Sequence, residues 1–440
     1  MQRRGLRRIP PYPSATTSSK SCCSPRAPTP AKATGPSSHP SSCHRFFPYR
    51  PARSSDNPPE SAWPLPSPCP GFRATRPSQY RKEASRPEEP QRGDACVFID
   101  EVQECSEVVT FIKYLVEREG FTFTLSGSLL GVELDNARPL PVGYLSVLDM
   151  HPLDFEEFCW GLGVGEEALC HARDCFAESQ PVIEPVHQRM LSLFHLYLMV
   201  GGMPAAVTRF LETGSIAEVK KVQDDIVRLY RADISKYARS RRLVIREIFD
   251  QIPSQLDSQS KRFNFSALAP KGTYERYQED FMWIVDAGVA NAVVNVTEPR
   301  HPLKMAENRA FFKLFANDVG LLSAMCGMEV PKGIVSDNLG VNYGSIYENA
   351  IAQELKAHGH RLRFFRKKGV GELDFVTERK GCHVLPIEVK SGKTYKRHSA
   401  LDNVMKVENY RTDQAVVLCE ANVHVSGKVA PLPAYMVMFL

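Results

Sequence analysis

The sequence predicts an α/β chain of several domains, and three stretches carry that prediction. The first is the apolar run Ala95-Cys96-Val97-Phe98-Ile99, then Val108, Val109, Ile112, Leu115 and Val116 at helical spacing, then Phe121-Thr122-Phe123-Thr124-Leu125. Strand, helix, strand is the rhythm of an open α/β sheet. The second runs from about Phe155 to Arg242 and is mostly helical; Ile226, Leu229, Tyr230, Asp233, Ile234 and Tyr237 keep its period. The third follows Gly344. There a long helix over Ile346–His358 precedes strands expected at Arg363–Phe365, Leu373–Thr377, Val384–Val389 and Ala415–Leu418. A length of 440 residues leaves room for about two to four domains.

Before these elements lies a segment of different character. Residues 1–92 hold 19 of the 33 prolines, 16 Lys+Arg and 5 Asp+Glu, with no acid before Asp56. No amphipathic period persists there, and such a composition cannot bury enough apolar surface to offset its ordering entropy. The remaining residues hold 39 basic and 45 acidic side chains. The net charge of +5 therefore belongs to the first 92 residues, and charge alone does not mark the folded part as nucleic-acid-binding.

The 12 cysteines form no C-x-x-C pair and no zinc spacing. They read as reduced thiols of a cytoplasmic protein. No apolar h-region follows the basic start. The uncharged stretch Met190–Val207 is near the lower length for a membrane span. It contains Ser192, His195, Gly201-Gly202 and Pro204, so it reads as a buried helix that ends at the glycine pair, and no membrane association is expected.

The first chemical constellation is the strand Val97–Ile99 ending in Asp100-Glu101. In nucleotide hydrolases a strand carries the Asp to the sheet edge, where it holds the water shell of Mg²⁺ while the adjacent Glu polarises the attacking water. Ligands of open α/β sheets bind at that carboxyl end. The next strand ends in Ser126-Gly127-Ser128, whose hydroxyls could sense a γ-phosphate. The alternatives are an acid that caps the following helix and an ordinary polar turn.

Several blocks then resemble one family. Phe98-Ile99-Asp100-Glu101-Val102-Gln103, Leu125-Ser126-Gly127-Ser128-Leu129-Leu130-Gly131 and His151-Pro152-Leu153-Asp154-Phe155 are similar, in order and spacing, to the bacterial and archaeal AAA-type ATPases that carry a C-terminal domain of unknown function. Tyr197-Leu198-Met199-Val200-Gly201-Gly202-Met203-Pro204 resembles the helical-lid signature of that family. The resemblance covers roughly residues 94–440. It implies that Asp100 and Glu101 are the Walker B pair, that Ser126 or Ser128 lies near the sensor-1 position, and that ATP and Mg are the cofactors.

The phosphate cradle of such proteins, G-x-x-x-x-G-K-S/T, is found nowhere in the chain. Its backbone N–H groups and Lys supply most phosphate contacts, so ATP binding is expected to be weak or absent. Residues 1–92 have about the length that the missing portion would occupy. Their Arg/Pro/Ser/Ala bias is that of GC-rich coding DNA read out of frame, so a frameshift product or mis-called start is expected; the rival is a disordered cationic arm.

The second constellation is Glu348 on a helix, Asp374 in Gly371-Glu372-Leu373-Asp374-Phe375-Val376, and Glu388 with Lys390 in Pro386-Ile387-Glu388-Val389-Lys390-Ser391-Gly392. Strand alternation puts Glu388 and Lys390 on one face. Asp374 and Glu388, with Glu348 added, could then share Mg or Mn while Lys390 orients water or phosphate. The alternative is an exposed Glu–Lys pair of little worth. The pattern resembles the PD-(D/E)XK nuclease superfamily and the C-terminal domain of the same ATPase family. Arg366, Lys367, Lys368 and Lys393 flank it and would attract a phosphate backbone.

The combined expectation is a truncated P-loop AAA+ core over residues 93–158, a helical lid over 159–242, a winged-helix-like segment over 243–300 and a PD-(D/E)XK nuclease-like α/β C-terminal domain over 301–440. By resemblance the chain is an ATP-binding AAA-type ATPase family protein whose nucleotide binding is defective. The alternatives are a Mg-dependent DNA nuclease using Asp374, Glu388 and Lys390, and a non-catalytic module that binds nucleic acid or protein. DNA and a second copy of the chain are the candidate partners.

Overall fold

A computed structural model of the chain describes residues 95–102, 107–117, 121–127, 143–327, 333, 343–379, 383–391, 395–424 and 427–440. β1 (Ala95–Ile99), α1 (Glu107–Glu117) and β2 (Phe121–Leu125) form the expected strand–helix–strand unit. β1 and β2 pair in parallel with Ile99 opposite Leu125, so both strands end at the same edge.

The helical stretch follows as α2 (Phe155–Gly161), α3 (Glu166–Glu178), α4 (Glu184–Val200), α5 (Pro204–Thr213), α6 (Ile216–Tyr237), α7 (Arg242–Asp250), α8 (Ile252–Asp257) and α9 (Tyr274–Asp286). A reciprocal capping box starts α2: the Glu157 N–H donates to Asp154 at 2.8 Å and the Asp154 N–H to Glu157 at 3.2 Å. The apolar stretch from Met190 ends its first helix at Val200, with Gly201 at φ 72°, and the chain bends by 117° into α5. Among the described residues no single helix is long and apolar enough to cross a membrane.

β3 (Ala290–Val296), β4 (Glu307–Ala316), α10 (Val319–Met325), α11 (Gly344–Ala357), β5 (Arg363–Lys367), β6 (Gly371–Leu373), β7 (Phe375–Arg379), β8 (His383–Val389), α12 (Ser399–Met405), β9 (Ala415–Cys419) and β10 (Val429–Pro433) complete the chain. They build two four-stranded sheets, in the orders β4-β3-β5-β6 and β10-β9-β8-β7. The strand expected over Leu373–Thr377 is interrupted at Asp374, which sits at the bend between β6 of one sheet and β7 of the other.

Three helices, α7 to α9, and the single strand β3 fall in the segment expected to be winged-helix-like, 243–300; the hairpin partner β4 lies beyond that segment, and β3 also pairs in parallel with β5, Val294 opposite Arg363. The boundaries expected at residues 242 and 300 fall inside continuous packing. β3 and β4 pair across the second, and one apolar core runs from Phe155 and Phe194 in the helical stretch to Tyr347 and Ile351 of α11. The Phe194 ring lies 5.3 Å from Phe155 and 5.9 Å from Tyr347, centre to centre, within the range of edge-on aromatic packing.

Two of the blocks that carry the family resemblance, His151–Phe155 and Tyr197–Pro204, meet at one buried junction. The Leu153 N–H donates to the Gly202 carbonyl at 2.8 Å, and the Gly202 N–H donates to Asp318 at 2.6 Å. The Tyr197 hydroxyl donates toward the Leu153 carbonyl at 2.8 Å and Glu354 Oε1 at 3.0 Å. Gln353 of α11 donates to that hydroxyl at 2.8 Å and accepts from the Val319 N–H at 2.8 Å. The His151–Phe155 block is thereby fastened to the C-terminal sheets.

Candidate functional site

The first acidic strand end stands at the carboxyl edge of β1 and β2. Asp100 and Glu101 are exposed, and Glu101 adopts φ 51°. Asp100 Oδ1 accepts the Ser126 hydroxyl and, at 3.1 Å, the Glu101 N–H. The Ser126 N–H donates to the Ile99 carbonyl and the Val102 N–H to the Ser126 carbonyl, both at 2.9 Å, which locks the two strand ends side by side. The structure brings Asp100 and Ser126 together at one open edge. Ser128 and Lys393 lie outside the described residues.

The second site lies between the two C-terminal sheets. In the β7–β8 ladder Phe375 faces Ile387, which brings Asp374, at the bend just before β7, level with Glu388 of β8. The Val389 N–H donates to Asp374 Oδ2 at 2.8 Å. Glu388 is 6% exposed, with Lys390 Nζ 2.6 Å from its Oε1. Glu348 of α11 is likewise buried and is paired with Lys261. Lys313, which belongs to none of the sequence motifs, completes the group. It is 0% exposed, and its ammonium lies 2.7 Å from Glu372 Oε1, 3.6 Å from Glu348 Oε2 and 3.9 Å from Asp374 Oδ1.

Residues 72–159 match an AAA domain. This AAA-like segment carries the Asp100 edge and indicates an AAA-type, P-loop-ATPase-like family; the match begins inside the segment expected to lack a fold. Residues 191–332 match a domain of unknown function (DUF8612), and residues 343–435 match a second domain of unknown function (DUF4143). The first of these runs from within α4 past β4, across both expected boundaries. No curated protein and no solved structure matches the chain significantly.

The electrostatics of the second site follow from burial. Desolvation pushes the Asp374 carboxyl up to about 7, with the nearby Glu348 charge adding to it, while Lys313 and Lys261 oppose the rise. Burial would raise Glu348 too, but Lys313 and Lys261 outweigh it and hold its pKa below the ordinary value. Burial also pulls the Lys313 ammonium down, and Glu348, Asp374 and Glu372 more than reverse that, so it stays charged. Mg²⁺ demands a near-octahedral oxygen set at about 2.1 Å. Among the described residues no three acids, histidines or cysteines are placed to hold a metal ion. The donors gathered here face an ammonium, so the set expected from Glu348, Asp374 and Glu388 does not fit a divalent ion.

Lys313 leaves one signal in the sequence. It is the single charge inside the apolar run Phe311-Phe312-Lys313-Leu314-Phe315-Ala316, and a buried charge in such a run needs a partner. Of the basic residues expected to flank the site, Arg366, Lys367 and Lys368 line an open cleft of about 820 Å³ with Ser258, Ser260 and Glu372. Glu372 belongs to both the cleft and the buried group, where Arg366 Nη1 reaches its Oε2 at 3.5 Å.

Proposed function

We propose that the chain is an AAA-type ATPase-like protein that holds ATP weakly and whose C-terminal domain is a non-cleaving module for binding nucleic acid. One observation carries the binding reading: three adjacent basic residues line a cleft large enough for a phosphate backbone, and its floor ends at a carboxylate already paired with Lys313 and Arg366. Electrostatic attraction to phosphates is sequence-independent and salt-sensitive. The weak-ATP reading rests on the Asp100–Ser126 edge standing in a chain without G-x-x-x-x-G-K-S/T.

The test is fluorescence anisotropy of duplex DNA with the full chain and with the triple variant Arg366→Ala, Lys367→Ala, Lys368→Ala. Binding should weaken with salt, and the triple variant should lower the log–log salt slope by about 2 to 3, near 0.9 for each phosphate no longer neutralised. Incubation with Mg²⁺ or Mn²⁺ should leave linear and circular DNA intact. An unchanged slope in the variant contradicts the cleft as the binding surface. Cleavage abolished by Asp374→Ala would instead establish the magnesium nuclease.

A further inference from the structure

We propose that Lys313 is the resident cation of the C-terminal carboxylate group, so that this domain is metal-independent as it stands and becomes a divalent-metal site when Lys313 is removed. The inference does not depend on whether the cleft takes nucleic acid.

The position of Lys313 leaves it no other role. Its backbone is fixed in the β3–β4 ladder opposite Val293, and Phe312, Leu314 and Phe315 around it are buried. From there the side chain crosses over the Phe364 ring, 5.0 Å from its centre, to reach Glu372 on β6. An ammonium sealed from water is tolerated only beside opposite charge. Three carboxylates from α11, β6 and the bend at Asp374 supply it.

The converse also holds. Glu348 Oε2, Glu388 Oε2 and the Lys313 ammonium itself are buried without a hydrogen bond of good geometry, so charge rather than hydrogen bonding holds them. The acids are compensated by charge from Lys313, with Lys261 on Glu348 and Lys390 on Glu388. A cation tethered to a paired strand competes as an intramolecular ligand, at an effective concentration free Mg²⁺ does not reach. Mg²⁺ would also have to shed water it releases reluctantly. Deleting the ammonium while keeping the stem leaves Glu348, Glu372 and Asp374 converging on one volume with unbalanced negative charge.

The experiment is calorimetric titration of Mn²⁺ into the full chain and into Lys313→Met, with thermal unfolding in EDTA and in Mn²⁺. The wild-type chain should show no stoichiometric ion at this site, and its unfolding temperature should not move. Lys313→Met should bind one Mn²⁺ per chain at least tenfold more tightly than wild type, and Mn²⁺ should raise its unfolding temperature. Asp374→Asn in that background should abolish the gain, and Asp100→Ala should leave it, which assigns the ion to this site. Stoichiometric binding by wild type that Asp374→Asn removes overturns the proposal. So does a folded Lys313→Met that takes no ion. If Lys313→Met does not fold in either condition, the wild-type titration decides by the same criterion.

Discussion

Glu354 is the residue on which the buried junction turns. Its Oε1 accepts the Phe155 N–H at 2.8 Å and the Tyr197 hydroxyl at 3.0 Å, while its Oε2 is buried without a hydrogen bond. Burial pushes its pKa from 4.5 up to about 8, and the neighbouring Asp154 charge adds to the rise. A carboxyl whose pKa is raised in the folded state gains a proton on folding. Its stabilising contribution is therefore complete below about 4.5 and is lost as pH rises through 8. The slope is bounded by no more than about 5 kcal/mol across that window. Thermal unfolding of the chain should accordingly show stability falling from pH 5 to 8.5. Glu354→Gln keeps both accepted hydrogen bonds without the charge and should flatten the profile. An unaltered slope in that variant would assign the pH dependence to other groups.

At the scale of elements, the glycine pair between α4 and α5 makes the junction possible. A Cβ on Gly202 would stand 2.0 Å from the Leu153 carbonyl oxygen, and one on Gly201 would stand 2.3 Å from an Asp318 carboxylate oxygen. Neither backbone can yield without breaking the Leu153–Gly202 and Gly202–Asp318 bonds. Gly202→Ala should cost about 3 kcal/mol or more in chemical denaturation, whereas Gly214→Ala, which meets nothing within 4 Å, should cost only the strain of its φ of 62°. Equal losses would show that the close approach is unimportant.

This junction is only half legible in the sequence. Of the two parts that meet there, the glycine pair and Asp318, only the glycine pair stands out as a pattern. That they touch depends on pairing between residues more than 100 positions apart, which no local period encodes. Lone charges inside apolar surroundings are the weaker signal, since Lys313 hides in an apolar run and Glu354 in a helix buried almost all round. The strand break at Asp374 is invisible for another reason: Leu373 to Thr377 reads as one continuous strand, and the switch between sheets is set by the partners β5 and β8. β10 is hidden because its two prolines, Pro431 and Pro433, argue against a strand, and it is tolerated as an edge beside β9.

For the whole molecule, the two acidic strand ends differ in what surrounds them. The Asp100 edge is open to solvent, where Asp100 accepts from Ser126 and from backbone, with no G-x-x-x-x-G-K-S/T string anywhere in the chain to cradle phosphate. At the C-terminal acids Glu348 and Glu388 are buried and Asp374 is half-buried, with Lys313, Lys261 and Lys390 set against the carboxylates. Between them the His151–Phe155 block ties the AAA-like segment to α11 through Glu354. On the proposed reading, a molecule built this way holds ATP weakly at the Asp100 edge and offers its C-terminal cleft to nucleic acid.

Calorimetric titration of ATP·Mg²⁺ into the 440-residue chain tests that claim most directly. The account predicts no saturation below about 1 mM nucleotide, an affinity no better than about −4 kcal/mol. Saturable micromolar binding that Asp100→Ala abolishes would contradict it.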